Sequence, residues 1–226
     1  MSQITASEVA MRLGVTKRRA LDLLRTEVIA GVQLGNGVWL ADSDSIARYE
    51  VLGLGGSGRT LDSSTAWGVL WELSGMDSDW LSVRTRARVR KRIRESDATS
   101  IAAAVSGRTK AHRFDVANVE RASEGLIRTG RSVVGAIGDN LIEDSQTTAG
   151  YVRTGSVEEY AKSHFMIRSL SGQHVLYDNT LPVEYDGDTM PLAVVAADLS
   201  RSTDVRERSA GLRGLERLRQ KWLGDH

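Results

Sequence analysis

The chain of 226 residues contains no cysteine, which excludes disulfide staples and thiolate metal sites. Only four histidines, His112, His164, His174 and His226, could act as imidazole ligands. None stands in an H-x-x-x-H or H-E-x-x-H spacing, so no metal or other cofactor is expected. No run of about 18 apolar residues is present, and no charged-then-apolar leader opens the sequence. These absences predict a cytoplasmic protein with no membrane partner. The formal net charge of +1 is too small to advertise nucleic acid by itself, so any basic surface must be local.

What is present is the composition of an ordinary folded chain, 41% hydrophobic and 26% charged, long enough for one to three small domains. The charge is uneven. Residues 1–52 carry six basic and six acidic side chains, residues 53–130 thirteen and nine, and residues 131–226 eleven and fourteen. The middle third is therefore the basic one. "GLGGSGR", Gly53 to Arg59, has the composition of a flexible linker, and "EDSQTTAG", Glu143 to Gly150, is a weaker polar break. The expected class is mainly α with a small α/β part. Residues 1–52 would form a first domain, 53–59 a linker, 60–145 a helical basic segment, and 146–226 an α/β domain.

The first segment has the clearest local logic. In "TASEVAMRLGVTKRRALDLLR", Thr5 with Glu8 fits a capping box, and Val9, Ala10 and Leu13 recur at helical spacing, predicting a helix over about 6–13. Gly14 ends it, and Thr16 caps a second helix that buries Ala20, Leu21, Leu23 and Leu24. The small Ala10 and the permissive Gly14 suit a close helix-turn-helix crossing, with Val9, Leu13, Val15, Ala20 and Leu23 as its core. "VIAGVQLGNGVWLADSDSIARYE" then reads as a strand, a turn at Gly35–Gly37, a second strand, and a helix from about Asp42.

Taken together, these roughly 45 residues resemble the winged helix-turn-helix of the excisionase and MerR type. The resemblance implies a recognition helix in the major groove, with the hairpin around Asn36 on adjacent backbone. Lys17, Arg18 and Arg19 sit where the helix dipole is already positive, a cost of about 0.3 to 1 kcal/mol for each exposed charge. Phosphates and guanine edges would offset that cost, through Thr16 and the backbone amides on one side and Arg18 or Arg19 on the other. Arg25 extends the same surface. The alternative is a solvated helix end.

In the middle segment, "LDSSTAWGVLWELSG" is expected to form a helix capped near Asp62, with its tryptophans in a core or interface. "WLSVRTRARVRKRIRE" packs six arginines and a lysine into eleven residues, from Arg84 to Arg94. Arg84, Arg88 and Arg92 fall near one stripe of a helix and could follow phosphates. An acidic partner protein or open water are the competing readings. "DVANVERASEGLIRTGRSVVGAIGDN" reads as one or two short amphipathic helices.

The last segment is α/β in pattern. It has a strand in "GYVRTG", a second capping box at Ser156 and Glu159, and a helix in "VEEYAKSHFM". Strands follow in "MIRSL" and "HVLYDN". "PLAVVAADLSRS" is either a buried strand or a helix start, and the closing helix carries Leu212, Leu215, Leu218 and Trp222 on one side. Over about 75 residues this order resembles the C-terminal domain of AbiEi-type antitoxins, most suggestively at Ala197, Asp198, Leu199, Arg206 and Ala210. The resemblance implies an antitoxin that represses its own operon and counteracts a nucleotidyltransferase-like toxin.

Catalysis is not expected. Glu158 and Glu159 diverge on a helix, "GLGGSG" lacks the strand and lysine of a phosphate loop, and "EYDGDT" is a turn without the calcium-loop pattern. The functional expectation is a DNA-binding regulator, autorepressor and antitoxin, partnered by its own operator, a cognate toxin and a second copy of itself. The alternative is an adaptor that sequesters a partner protein through the basic helix and C-terminal domain.

Overall fold

The computed structural model describes residues 3–25, 29–50, 60–137, 146–169, 172–202 and 204–226. The expected linker at 53–59 and the start of the polar break at 143–145 lie outside them. The chain divides into two compact units, Met1–Gly55 and Gly56–His226, and the fold is mixed α/β.

The first unit opens with a strand that periodicity did not suggest, β1 (Gln3–Thr5), which pairs with β3. Thr5 then caps α1 (Ala6–Leu13) in both directions: the Glu8 N–H donates to the Thr5 hydroxyl at 3.4 Å and the Thr5 N–H to the Glu8 carboxylate at 2.6 Å. Gly14 turns the chain at φ 63°, and the Val15 N–H joins that of Gly14 on the Ala10 carbonyl, at 3.0 Å, so the turn is tied back onto the last turn of the helix. α2 (Lys17–Arg25) buries Ala20, Leu23 and Leu24 against Val9, Ala10 and Leu13. β2 (Gly31–Gln33) and β3 (Trp39–Asp42) form the hairpin, and α3 (Ser43–Tyr49) follows with its Ser45 N–H on the Asp42 carboxylate at 2.9 Å. The sheet order is β1-β3-β2.

The second unit begins with three helices. α4 (Ser63–Leu73) is capped by Asp62 as expected, α5 (Val83–Glu95) by Ser82, and α6 (Ala98–Val105) by Asp97. Next come β4 (Ala111–Asp115), α7 (Val119–Ser123), β5 (Ile127–Arg128) and a kinked 3-10 segment over Gly130–Ile137. β6 (Ala149–Tyr151), α8 (Val157–Ser163), β7 (Ile167–Arg168), β8 (His174–Tyr177), α9 (Leu192–Leu199) and α10 (Val205–Asp225) complete the unit.

Two expectations require correction. The segment 60–145 is not purely helical, because β4 and β5 belong to a sheet of order β5-β6-β8-β4-β7, in which β6 and β8 run parallel and the other pairs antiparallel. Strands from both sides of residue 145 interleave in that sheet, so no domain boundary falls there and residues 60–226 share one unit. Of the two readings open for "PLAVVAADL", a buried strand or a helix start, the helix is the one that forms. Ala193 to Leu199 are buried on every side of α9, so the sequence has no polar face from which to read a period.

α10 lies against α9 where side chains vanish. A Cβ on Gly211 would stand 2.4 Å from the Ser200 nitrogen and 2.5 Å from the Ala196 oxygen. Of the expected apolar face, Leu215 and Trp222 are buried and Leu212 and Leu218 half-buried.

Candidate nucleic-acid interface

Thr16, Lys17, Arg18 and Arg19 come together in the first turn of α2, as their spacing requires, and all four are exposed. The Thr16 hydroxyl accepts the Arg19 N–H at 3.2 Å, which leaves its own proton free to donate outward. That turn contains no acidic residue. Among the described residues no carboxylate pairs with Lys17, Arg18, Arg19 or Arg25. The buried face of α2 is centred on Ala20, Leu23 and Leu24, so at 3.6 residues per turn Arg18 and Arg25 lie on the opposite side, with half-buried Asp22 between them. Arg12 of α1 is excluded from this surface, because two hydrogen bonds of 2.9 and 2.7 Å commit it to Glu50. The same pairing holds the Glu50 carboxyl below its ordinary value.

The hairpin presents a second polar tip. Gly37 adopts φ 80°, and the Leu34 N–H closes the loop on the Val38 carbonyl at 2.8 Å. Asn36 is exposed, but its side-chain oxygen accepts the Val38 N–H at 3.1 Å, so only the amide nitrogen is left to donate to a partner. Val32, Leu34 and Val38 are exposed around it.

The remaining sequence-predicted residues, Arg84, Arg88 and Arg92, lie on α5 in the second unit. Arg84 and Arg88 are exposed, and Arg92 is half-buried with an Nε that meets no hydrogen-bond acceptor among the described residues. No family model, curated protein or solved structure matches the chain. Its chemistry therefore has to be read from its own side chains.

Sequence reasoning missed the most polar part of the interior. Arg108, in the turn after α6, is ion-paired with Asp198 of α9, and neither side chain is exposed to solvent. The Thr129 hydroxyl donates to the other Asp198 oxygen at 2.7 Å and Tyr151 to the same carboxylate at 3.1 Å, while Trp67 lies under the guanidinium at 5.3 Å. Burial pushes the Tyr151 phenol well above its ordinary pKa, so it stays protonated and donates. The carboxylate is saturated and closed off, which makes the cluster a cross-brace between α4, the sheet and α9. Nothing in sequence separation hints at it, since Arg108 and Asp198 stand 90 residues apart. The histidines are engaged similarly: His112 lies between Asp178 at 3.0 Å and Arg168 at 3.2 Å, and His174 accepts the Thr148 N–H at 3.1 Å.

Proposed function

We propose that the chain is a DNA-binding transcriptional regulator whose first unit acts as a winged helix-turn-helix, with α2 entering the major groove and the β2–β3 hairpin lying on adjacent backbone. The observation that carries this reading is the cationic side of α2. Three consecutive exposed cations crowd a helix N-terminus whose first turn holds no acid, where they work against the helix dipole. Phosphate contacts by Lys17, Thr16 and the free amides of that turn would set the register, and Arg18 or Arg19 would supply the paired hydrogen bonds that distinguish guanine. The resemblance of the C-terminal segment to AbiEi-type antitoxins supplies the setting: autorepression of an operon, and antagonism of a nucleotidyltransferase-like toxin by the same protein.

The test is a titration of the full chain against its own upstream region and against a scrambled duplex, at two salt concentrations. A specific, salt-sensitive complex that Arg18→Ala/Arg19→Ala abolishes without lowering the melting temperature is the expected result. Equal weak binding to both duplexes, unchanged by the substitution, would reduce the cluster to a solvated helix end.

An adaptor reading draws on a different observation. Phe165 and Ile167 are 70% and 71% exposed at the β7 edge of the five-stranded sheet, the kind of apolar edge that partner proteins cover. Under that reading, Phe165→Ser/Ile167→Ser would abolish toxin neutralisation on co-expression and leave operator binding intact.

A further inference from the structure

From Arg84 to Arg94, α5 carries an arginine at every second position. On an α-helix a step of two residues is a little over half a turn, so such a series divides into two stripes of i, i+4 and i+8. The two stripes have different fates. Arg86 pairs with Asp79 at 3.2 Å, Arg90 with buried Glu72 at 3.0 Å, and Arg94 stacks on the Trp222 ring at 5.4 Å. The inner stripe is spent on holding α5 against α4 and α10. Arg219 of α10 reinforces it, donating to the Ile93 and Arg94 carbonyls at 2.8 and 2.9 Å and so capping the C-terminal end of α5. Arg84, Arg88 and Arg92 have no such partner among the described residues. The one acid within the helix, Glu95, faces Lys91 at 3.8 Å.

We infer that this outer stripe is a contact for the phosphate backbone of nucleic acid, independent of base sequence. Successive positions of the stripe rise about 6 Å along a helix whose inner face is fixed, so exposed Arg84 and Arg88 and half-buried Arg92 follow one another over about 12 Å on backbone that needs no ordering on binding. Arginine forks match phosphate oxygens in pairs. A protein partner is disfavoured by what lies between the arginines. Thr85, Ala87 and Lys91 provide no aromatic or large aliphatic anchor for an interface core, and Val83 at the helix start is the one large apolar side chain that α5 exposes. The contact deepens the regulator reading by giving the second unit a share of the DNA, yet it does not depend on α2 reading bases.

The experiment uses the full chain and a scrambled 20-base-pair duplex. Affinity is measured by fluorescence anisotropy across a salt series, for the wild type and for Arg84→Gln/Arg88→Gln/Arg92→Gln. Each lost phosphate contact lowers the slope of log affinity against log salt by about 0.9, so the triple variant should lose between about 2 and 3 from the slope. Arg88→Gln alone should lose about 0.9, which keeps the test decisive should the triple variant fold poorly. Replacement by lysine at all three positions should largely restore the slope, because phosphate contact needs charge more than a fork. Arg90→Gln, on the inner stripe, should lower the melting temperature without that loss of slope. Comparison with Arg18→Ala/Arg19→Ala separates the two readings: α2 governs the preference for operator over scrambled duplex, and α5 the affinity common to both. An unchanged slope in the outer-stripe variants would overturn the inference. So would an unchanged slope accompanied by loss of binding to the co-expressed toxin, which would make the stripe a protein contact.

Discussion

Asp198 illustrates how far a single residue can be read from sequence. It stands in "VVAADL", an otherwise apolar run, and its partners Arg108, Tyr151 and Thr129 are brought to it only by the fold. A buried ion pair contributes little net stability, because both charges leave water, yet removing one partner strands the other. Asp198→Ala is therefore expected to cost about 3 to 5 kcal/mol in urea unfolding. A loss below about 1 kcal/mol would mean that Arg108 finds another route to solvent. Tyr151 and Tyr177, stacked at 4.9 Å, add a dependence on pH. Burial raises both phenols above the ordinary value of 10.0. Their folded-state pKa values exceed the unfolded ones, so their contribution is complete below about pH 10 and is lost as pH climbs past it, when the unfolded chain ionises first. Thermal melts of the wild type should fall steeply above pH 10. Tyr177→Phe should flatten that fall, and an identical profile in the variant would refute the assignment.

At the scale of elements, the ends of helices were legible and their environments were not. Thr5 with Glu8, Ser156 with Glu159, and Asp62 all cap the helices that their spacing predicts, because a cap is settled by residues three apart. β1, β4 and β5 escaped notice, being short strands whose pairing partners lie elsewhere in the chain. The α9–α10 contact was equally hidden. In an exposed helix Gly→Ala gains about 0.5 to 1 kcal/mol, and Gly224, with open space around its Cβ position, should behave that way. Gly211 should do the reverse. Its new methyl would meet the backbone of α9, and separating two packed helices should cost about 1 to 3 kcal/mol. Melting both variants side by side checks the opposite signs. Phe165 offers a third case at a helix end. It terminates α8 at φ 55°, the left-handed position that favours glycine, with the Met166 N–H on the Ala161 carbonyl at 2.9 Å. Phe165→Gly should stabilise the fold by about 1 kcal/mol, partly offset by the lost stacking of Arg121 at 4.6 Å. A variant that gains stability yet loses partner binding would mean that the strained phenylalanine serves the partner rather than the fold.

On the scale of the whole molecule, the two units carry separate cores and separate cationic surfaces, so the two proposed contacts with DNA can be tested apart. The first unit spans Met1–Gly55, and a domain of that size has a stability of only about 3 to 8 kcal/mol. Leu23 of α2 is 2% exposed, in one buried cluster with Val9, Ala10 and Leu13 of α1. Leu23→Ala should cost about 2 to 5 kcal/mol, enough to unfold a marginal unit of this kind. The five tryptophans report which part responds, since Trp39 lies in the first unit and Trp67, Trp71, Trp80 and Trp222 in the second. With fluorotryptophan incorporated, the Trp39 resonance of Leu23→Ala should move to its random-coil position while the other four stay in place. Discrimination between operator and scrambled duplex should vanish with it, because α2 no longer exists to enter a groove. The salt-dependent affinity for scrambled duplex should fall only by the share of Lys17, Arg18, Arg19 and Arg25, and the part due to Arg84, Arg88 and Arg92 should persist. Simultaneous loss of all five resonances would show that the second unit cannot fold without the first, and the two cationic surfaces would then have to be tested as one.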